Sequence, residues 1–316
     1  MKIFFKISFL ILFACITFSC KGLAASAEEY YSIGMSYFEL GKYEEAEIWL
    51  NRAASADKTM TASQYNLGRL AFERQRYNEA AGYFEDILKK DPNNVLALKA
   101  AAYTRIKTGD INMAEKHYSR LLEIVPENAD DGYNHALVLY AMGRYGEAED
   151  VLERYRLSML INDEMQLLYA RIQSAQGKAQ AIDSYAAWLT NNKDAKVRNE
   201  YAQLLESSQL YARAVQEYRQ ALVEAEPGNL RNEIRFNLAR VLLIADSSSG
   251  EGITELQNTV SQGFNNIAAI EELLSYGNIS SADKDNIRNI INNMQNTQNE
   301  SASDESSKAD SKSSSD

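Results

Sequence analysis

Apolar residues follow two different patterns along the chain. Residues 7–18 are almost uniformly apolar and are preceded by Lys2 and Lys6. This run is shorter than the roughly 20 residues that span a bilayer, so it predicts a secretory signal peptide over residues 1–19. The remainder is rich in Ala, Glu, Leu and Tyr and has only 3 prolines. That composition predicts long helices that are broken by short turns.

The end of the apolar run offers two cleavage sites. The segment Ser19-Cys20-Lys21-Gly22 resembles the lipobox of bacterial lipoproteins. This resemblance implies a diacylated Cys20, which carries chains such as palmitate, and a tether over residues 20–27. The small residues at 25–27 favour ordinary cleavage after Ala27 as the alternative. An uncleaved anchor is a third possibility.

A spacing of 34 residues organises the middle of the chain. A small residue on one helix, a turn residue that is glycine in all but one of the first four sets, and an alanine on the next helix recur in register. The first four sets are Gly34, Gly41 and Ala46; Gly68, Gln75 and Ala80; Ala102, Gly109 and Ala114; and Ala136, Gly143 and Ala148. Small residues let paired helices approach closely, and glycine adopts the left-handed backbone that a tight turn needs. The period shifts slightly at Gly177 and resumes at Tyr211 and Ala214.

These residues resemble the signature of the tetratricopeptide repeat, which implies an all-α helix-turn-helix solenoid wound as a right-handed superhelix. We expect six repeats within residues 27–228, a degenerate seventh repeat, a C-terminal helical cap and a disordered tail. The boundaries are 27–60, 61–94, 95–128, 129–162, 163–194 and 195–228 for the repeats, 229–262 for the seventh, 263–296 for the cap and 297–316 for the tail.

The resemblance implies a concave groove that is lined by the fifth, ninth and twelfth residues of each repeat. In the first four repeats these are Tyr31, Met35, Phe38, Tyr65, Arg69, Phe72, Lys99, Tyr103, Ile106, Tyr133, Leu137 and Tyr140. Asn66 and Asn134 take the sixth position, where peptide-binding members hold a ligand backbone. In the next two repeats the lining changes to Leu167, Arg171, Ser174, Asn199, Gln203 and Glu206. The aromatic stripe predicts either a partner surface or packing between repeats.

Composition restricts the chemistry of the chain. With 2 His and 2 Cys, it offers too few ligands for a Cys/His metal site or a disulfide framework. A net charge of −11 argues against a nucleic-acid surface. We expect His117 to face solvent, His135 to lie in the core, and neither to have an acidic neighbour. The signal segment, repeats, cap and tail use the whole chain, so we expect no catalytic residue, no cofactor, no metal and no enzymatic activity.

These observations favour a protein-interaction scaffold. We expect an exported lipoprotein of the bacterial cell envelope, tethered to the membrane, with an envelope protein or peptide as partner. A soluble periplasmic or secreted protein is the alternative location. The alternative function is a ligand-binding accessory subunit of an envelope transporter complex.

Overall fold

The computed structural model describes residues 25–245 and 250–313. The predicted signal peptide and Cys20 lie outside these residues. The described residues form sixteen α-helices and one short 3-10 helix, without a β-strand. The chain divides into two compact units, residues 1–161 and residues 162–316. We call them the first unit and the second unit.

The first unit consists of four antiparallel helix pairs. Its helices are α1 (Ala27–Glu39), α2 (Tyr43–Ala56), α3 (Thr61–Glu73), α4 (Tyr77–Lys90), α5 (Val95–Thr108), α6 (Ile111–Ile124), α7 (Ala129–Ala141) and α8 (Tyr145–Leu157).

The second unit continues the pairs and ends in a different arrangement. Its helices are α9 (Asp163–Ala175), α10 (Gln180–Asn191), α11 (Ala195–Ser207), α12 (Tyr211–Glu224), α13 (Asn229–Ala245), α14 (Glu251–Ser261), α15 (Ile267–Glu272), the 3-10 helix (Leu273–Ser275) and α16 (Ser281–Ser313). The all-α fold is the one that the sequence predicts.

Asparagines at a fixed position start three of the first helices in these pairs. Asn94, Asn128 and Asn162 are the N-caps of α5, α7 and α9. Each side-chain oxygen accepts a hydrogen bond from the backbone N–H three residues later, at 2.9–3.1 Å. This contact satisfies one of the donors that a helix start leaves unpaired.

The turns inside the pairs confirm the predicted role of glycine. Gly41, Gly109, Gly143 and Gly177 have φ angles between +68° and +80°. In the other two complete pairs, the same position holds glutamine: Gln75 has φ +59° and Gln209 has φ +61°. A side chain makes this conformation costly, so these turns carry local strain.

Glycines also let large side chains approach the first helix of a pair. A Cβ atom at Gly68 would lie 2.6 Å from Cε1 of Phe84, and one at Gly132 would lie 2.1 Å from Cε2 of Tyr155. The Tyr155 hydroxyl donates to the carbonyl of Pro126 at 2.9 Å. The ring of Tyr155 therefore packs directly on Gly132 and secures the turn before α7.

The C-terminal region differs from its prediction. α16 runs to Ser313, whereas we expect a disordered tail from residue 297 because no apolar period continues there. The Thr297 hydroxyl donates to the carbonyl of Asn293 at 2.9 Å, within the continuing helix. The packed residues before position 297 start this helix, and extending a helix costs less than starting one.

Candidate functional site

Two adjoining hollows open between the odd-numbered helices of the first unit. The large hollow has a volume of about 410 Å³ and lies between α1, α3 and α5. The small hollow has a volume of about 170 Å³ and lies between α3 and α5, next to Phe84 of α4. Their shared boundary is Arg69. The large hollow is lined by Tyr31, Met35, Thr61, Ala62, Tyr65, Asn66, Arg69, Asn94 and Leu96, and the small hollow by Arg69, Phe72, Glu73, Phe84, Ala100, Tyr103 and Thr104. We call the two together the aromatic groove.

The side chain of Asn66 forms hydrogen bonds within the protein. The residue is 5% exposed, and its side-chain amide donates both to the Tyr31 hydroxyl and to the carbonyl of Ala62, each at 3.0 Å. Its oxygen accepts from Nη1 of Arg69 at 3.0 Å. Asn134, at the same repeat position, forms no side-chain hydrogen bond with any residue that the structure describes. Asn66 therefore orients its neighbours, while the amide of Asn134 is available.

Arg69 places a positive charge at the centre of the aromatic groove. Its guanidinium lies 4.9 Å from the centre of the Phe38 ring, within cation–π range. Among the described residues, no carboxylate pairs with it. The Asn66 oxygen and the Phe38 ring therefore hold an exposed guanidinium between the two hollows.

The aromatic stripe packs neighbouring helices against one another. Phe72 lies 5.1 Å from Tyr77 and 5.4 Å from Tyr103, measured between ring centres. Tyr65 lies 5.6 Å from Phe84. These contacts join neighbouring helices, yet Tyr103 remains 47% exposed. The stripe therefore packs repeats together and also leaves part of the Tyr103 side chain exposed, with Nζ of Lys107 5.4 Å from its ring centre.

Repeat four contributes less to these hollows. Tyr133, Leu137 and Tyr140 line neither of them. Leu137 is exposed, and Tyr140 packs against Tyr145 at 5.4 Å. These two hollows thus involve the first three repeats of the predicted groove.

Both histidines have acidic neighbours, which corrects the sequence expectation. His117 is buried, not solvent-facing, and its Nε2 lies 2.9 Å from Oε1 of Glu85. His135 is buried as expected, with its Nε2 3.7 Å from Oε1 of Glu115. Burial lowers the pKa of His135, although the charge of Glu115 opposes this effect. The prediction for His117 was wrong because neighbouring repeats cover that face of α6.

Lys99 also bonds within the protein. Its Nζ lies 2.8 Å from Oδ1 of Asp131, a carboxylate that is almost fully buried. The basic side chain at the groove edge is therefore neutralised by α7.

In the second unit, the corresponding positions form hydrogen-bonded networks. Arg171 pairs with Glu200 at 2.8 Å, and Asn199 accepts from Asn237 at 3.1 Å. Glu206 accepts two hydrogen bonds from Arg240, at 2.8 and 2.9 Å.

The Tyr218 hydroxyl also donates to Glu206, at 2.8 Å. Burial and the adjacent Glu206 raise the pKa of Tyr218. Burial by itself would lower the pKa of Arg240. The hydrogen bonds and the negative charge of Glu206 outweigh burial, so the pKa of Arg240 is raised. This network joins α11, α12 and α13.

No group of three or more His, Cys, Asp or Glu side chains in the described residues is arranged to hold a metal ion. None of the helices in residues 25–245 and 250–313 is both long and apolar enough to cross a membrane.

Comparison with protein families finds one recurring match. Models of the tetratricopeptide repeat match residues 27–59, 71–134 and 130–165. These matches lie almost wholly in the first unit.

Two curated proteins illustrate the similarity in sequence. An uncharacterized lipoprotein of Treponema pallidum is 28% identical over 154 residues, which cover 48% of this chain and 78% of that protein. The protein O-mannosyl-transferase TMTC3 of Homo sapiens is 29% identical over 132 residues, which cover 41% of this chain but only 14% of that protein. The second match is therefore confined to a small part of the transferase.

Solved structures are similar in fold. A tetratricopeptide repeat protein from Parabacteroides merdae has a TM-score of 0.56 and 19% identity, covering 79% of this chain and 97% of that one. YrrB, described as a repeat protein with an unusual peptide-binding site, has a TM-score of 0.51 and 16% identity, covering 58% of this chain and 96% of that one.

Proposed function

We propose, from the premise that this chain belongs to the tetratricopeptide repeat family, that it is a non-catalytic scaffold whose aromatic groove binds a protein or peptide. The observation that carries this proposal is the pair of adjoining hollows around Arg69 in the first unit. Exposed aromatic and apolar side chains next to an arginine are the composition that favours protein contacts. The peptide-binding site described for YrrB supports a peptide ligand by analogy of fold.

The groove favours an extended apolar segment that also offers hydrogen-bond acceptors. Leu96 is 61% exposed at the edge of the large hollow, and Tyr103 is 47% exposed at the small one. Between them, Arg69 offers a guanidinium that no described carboxylate neutralises. A partner that contacts all three side chains buries apolar area and satisfies the free guanidinium donors.

A matched pair of substitutions tests the groove. Leu96→Asp places a charge in the large hollow, whereas Ile48→Asp places one on α2, at a side chain that is 54% exposed and lines neither hollow. We expect Leu96→Asp to reduce recovery of crosslinked partner from the native envelope at least tenfold, and Ile48→Asp to leave it within twofold. Equal recovery with the two variants would contradict the proposal.

A double substitution tests the aromatic contribution. We expect Tyr65→Ala with Phe72→Ala to remove partner recovery. The control is the helix content by circular dichroism, because both rings also contact neighbouring helices. Full helicity together with full recovery would reject the aromatic groove as the binding surface.

We propose that the protein is exported and tethered in the bacterial cell envelope through Cys20. The lipobox-like segment and the name of the Treponema pallidum lipoprotein support this location. Metabolic labelling with palmitate tests it. We expect Cys20→Ala to lose the label and Cys15→Ala to keep it. Label retained by Cys20→Ala would favour lipidation at Cys15, which also follows a lipobox-like segment, and an unlabelled wild type would favour cleavage after Ala27.

The scaffold proposal includes the absence of enzymatic activity. Proteins of this repeat fold generally act as non-catalytic scaffolds. The name of the transferase relative describes a protein of which the match covers 14%, so its activity does not carry over to this chain.

A further inference from the structure

The cap of the second unit contains a hollow that is separate from the aromatic groove. It lies between α14, the turn at residues 263–265 and α16, and its volume is about 730 Å³. We call it the cap hollow. Its volume lies within the range of roughly 300–1,000 Å³ that is typical of small-molecule sites.

The floor of the cap hollow is apolar. Ile290 is 8% exposed and Met294 is 9% exposed. Phe264 stacks on Phe236 with 4.7 Å between ring centres and an angle of 9° between the planes, which fixes a flat aromatic wall. A flat protein surface would contact mainly the rim, because the floor side chains are more than nine-tenths buried. A small molecule that enters the hollow would contact the floor itself.

The rim of the cap hollow is polar but uncharged. Of the described residues that line it, none has an ionisable side chain, although 24% of the chain is charged. The carboxamides of Gln257, Asn265, Asn293 and Gln298 lie around the opening and form no hydrogen bond with other residues in the described part of the chain. Carboxamides both donate and accept hydrogen bonds, whereas a charged ligand would lose hydration in this hollow without gaining an opposite charge.

We propose that the cap hollow binds an uncharged, largely apolar small molecule. Its apolar body would lie against Phe264, Ile290 and Met294, and a polar group would face the carboxamides of Gln257 and Asn293. The proposal is independent of partner binding in the aromatic groove.

Two fluorescent probes that share one ring system test the proposal on the full chain. N-Phenyl-1-naphthylamine is uncharged, and 8-anilinonaphthalene-1-sulfonate adds a sulfonate to the same body. We expect the uncharged probe to bind one molecule per chain, at least tenfold more tightly than the sulfonate. Equal or tighter binding of the sulfonate would overturn the proposal, as would no saturable binding of the uncharged probe.

Neighbouring positions on α16 locate the bound probe. Asn293 lines the hollow and Asn292 does not, and both are exposed. We expect Asn293→Trp to fill the hollow and weaken the uncharged probe at least tenfold, with Asn292→Trp within twofold of wild type. If Asn293→Trp loses helicity, Gln257→Trp and its control Asn258→Trp repeat the comparison from α14. Equal affinities within a pair would overturn the proposal, as would loss of probe binding in Tyr103→Ala, which would place the probe in the aromatic groove.

Discussion

The positions predicted to line a groove differ between the two units in what their side chains contact. In the first unit, Phe72 packs against Tyr103, and Tyr103 stays 47% exposed. The same repeat positions in the second unit hold Glu206 and Gln203. Glu206 is bound by Arg240 across the repeat boundary.

Equivalent repeat positions therefore have different roles in the two units. Aromatic side chains in the first unit bring helices together and still offer a surface, because a ring can pack with one face and expose the other. The carboxylate in the second unit is saturated by its neighbours, which makes it a contact between repeats. We therefore expect substitutions at equivalent positions to affect binding in the first unit and stability in the second.

The largest effect is expected from Gly132→Ala in the first unit. The new Cβ would lie 2.1 Å from Cε2 of Tyr155 and would displace its hydroxyl from Pro126. We expect a loss of about 3 kcal/mol, from overpacking and broken hydrogen bonds. Urea unfolding measures it, with Gly146→Ala as the control, since a Cβ at Gly146 meets no atom within 4 Å. Equal midpoints for the two variants would contradict the close packing.

Hydrogen exchange tests whether the effect of Gly132→Ala is confined to the first unit. In a repeat protein, contacts extend mainly to neighbouring repeats. We expect Gly132→Ala to reduce amide protection in residues 95–161 more than in residues 195–298. Uniform loss along the described chain would show that the two regions unfold as one.

The second-largest loss of stability is expected from a substitution of Glu206 in the second unit. Glu206→Ala removes the partner of Arg240, whose side chain is 22% exposed, and of Tyr218. We expect a loss of about 2–3 kcal/mol in the free energy of unfolding, because a mostly buried charge is left unpaired. Tyr103→Ala, in the first unit, should lose about 1 kcal/mol or less. A larger loss for Tyr103→Ala than for Glu206→Ala would reverse the comparison.

A pH effect is expected in the first unit, which holds both histidines of the chain. The pKa of His135 is lowered in the folded protein from its ordinary value of 6.5. Below pH 6.5 the unfolded chain takes up a proton that folded His135 resists, so the free energy of unfolding falls as pH decreases. We expect His135→Phe to show a shallower decrease than wild type between pH 7.5 and 5; identical slopes would count against burial as the cause.

The smallest expected effect is a gain in stability, and we expect it in both units. Gln75→Gly in the first unit and Gln209→Gly in the second both remove the strain of a glutamine in the left-handed backbone conformation. We expect each to stabilise its turn by about 0.5 kcal/mol, after the added backbone entropy of glycine. Thermal unfolding measures both variants. A loss of stability in either one would show that the glutamine side chain contributes more than its strain costs.

The sequence pattern predicts the fold well because its signals are local and repeated. The 34-residue period places each turn glycine, and Gly41 and Gly109 have the left-handed backbone that it implies. The helix after Ser281 is longer than predicted, because apolar periodicity reports packing and a helix can continue beyond its packed residues.

The site is less predictable because it depends on contacts between repeats. The bonds of Asn66 with Tyr31 and Arg69 join residues up to 35 positions apart. The contact between His117 and Glu85 likewise joins two neighbouring helix pairs. One sequence shows which residues recur, but the side-chain partners across repeats become visible only in the structure. The use of Asn94 and Asn128 as N-caps is one signal that the period itself could have shown.

Site-specific photo-crosslinking in the native envelope tests the central claim most directly. The crosslinking amino acid would replace Tyr103 in the first unit or Gln203 at the equivalent position in the second, both of which line hollows. We predict a discrete protein or peptide adduct from position 103 and none from position 203. An adduct from position 203 without one from position 103 would contradict the assignment of partner binding to the aromatic groove.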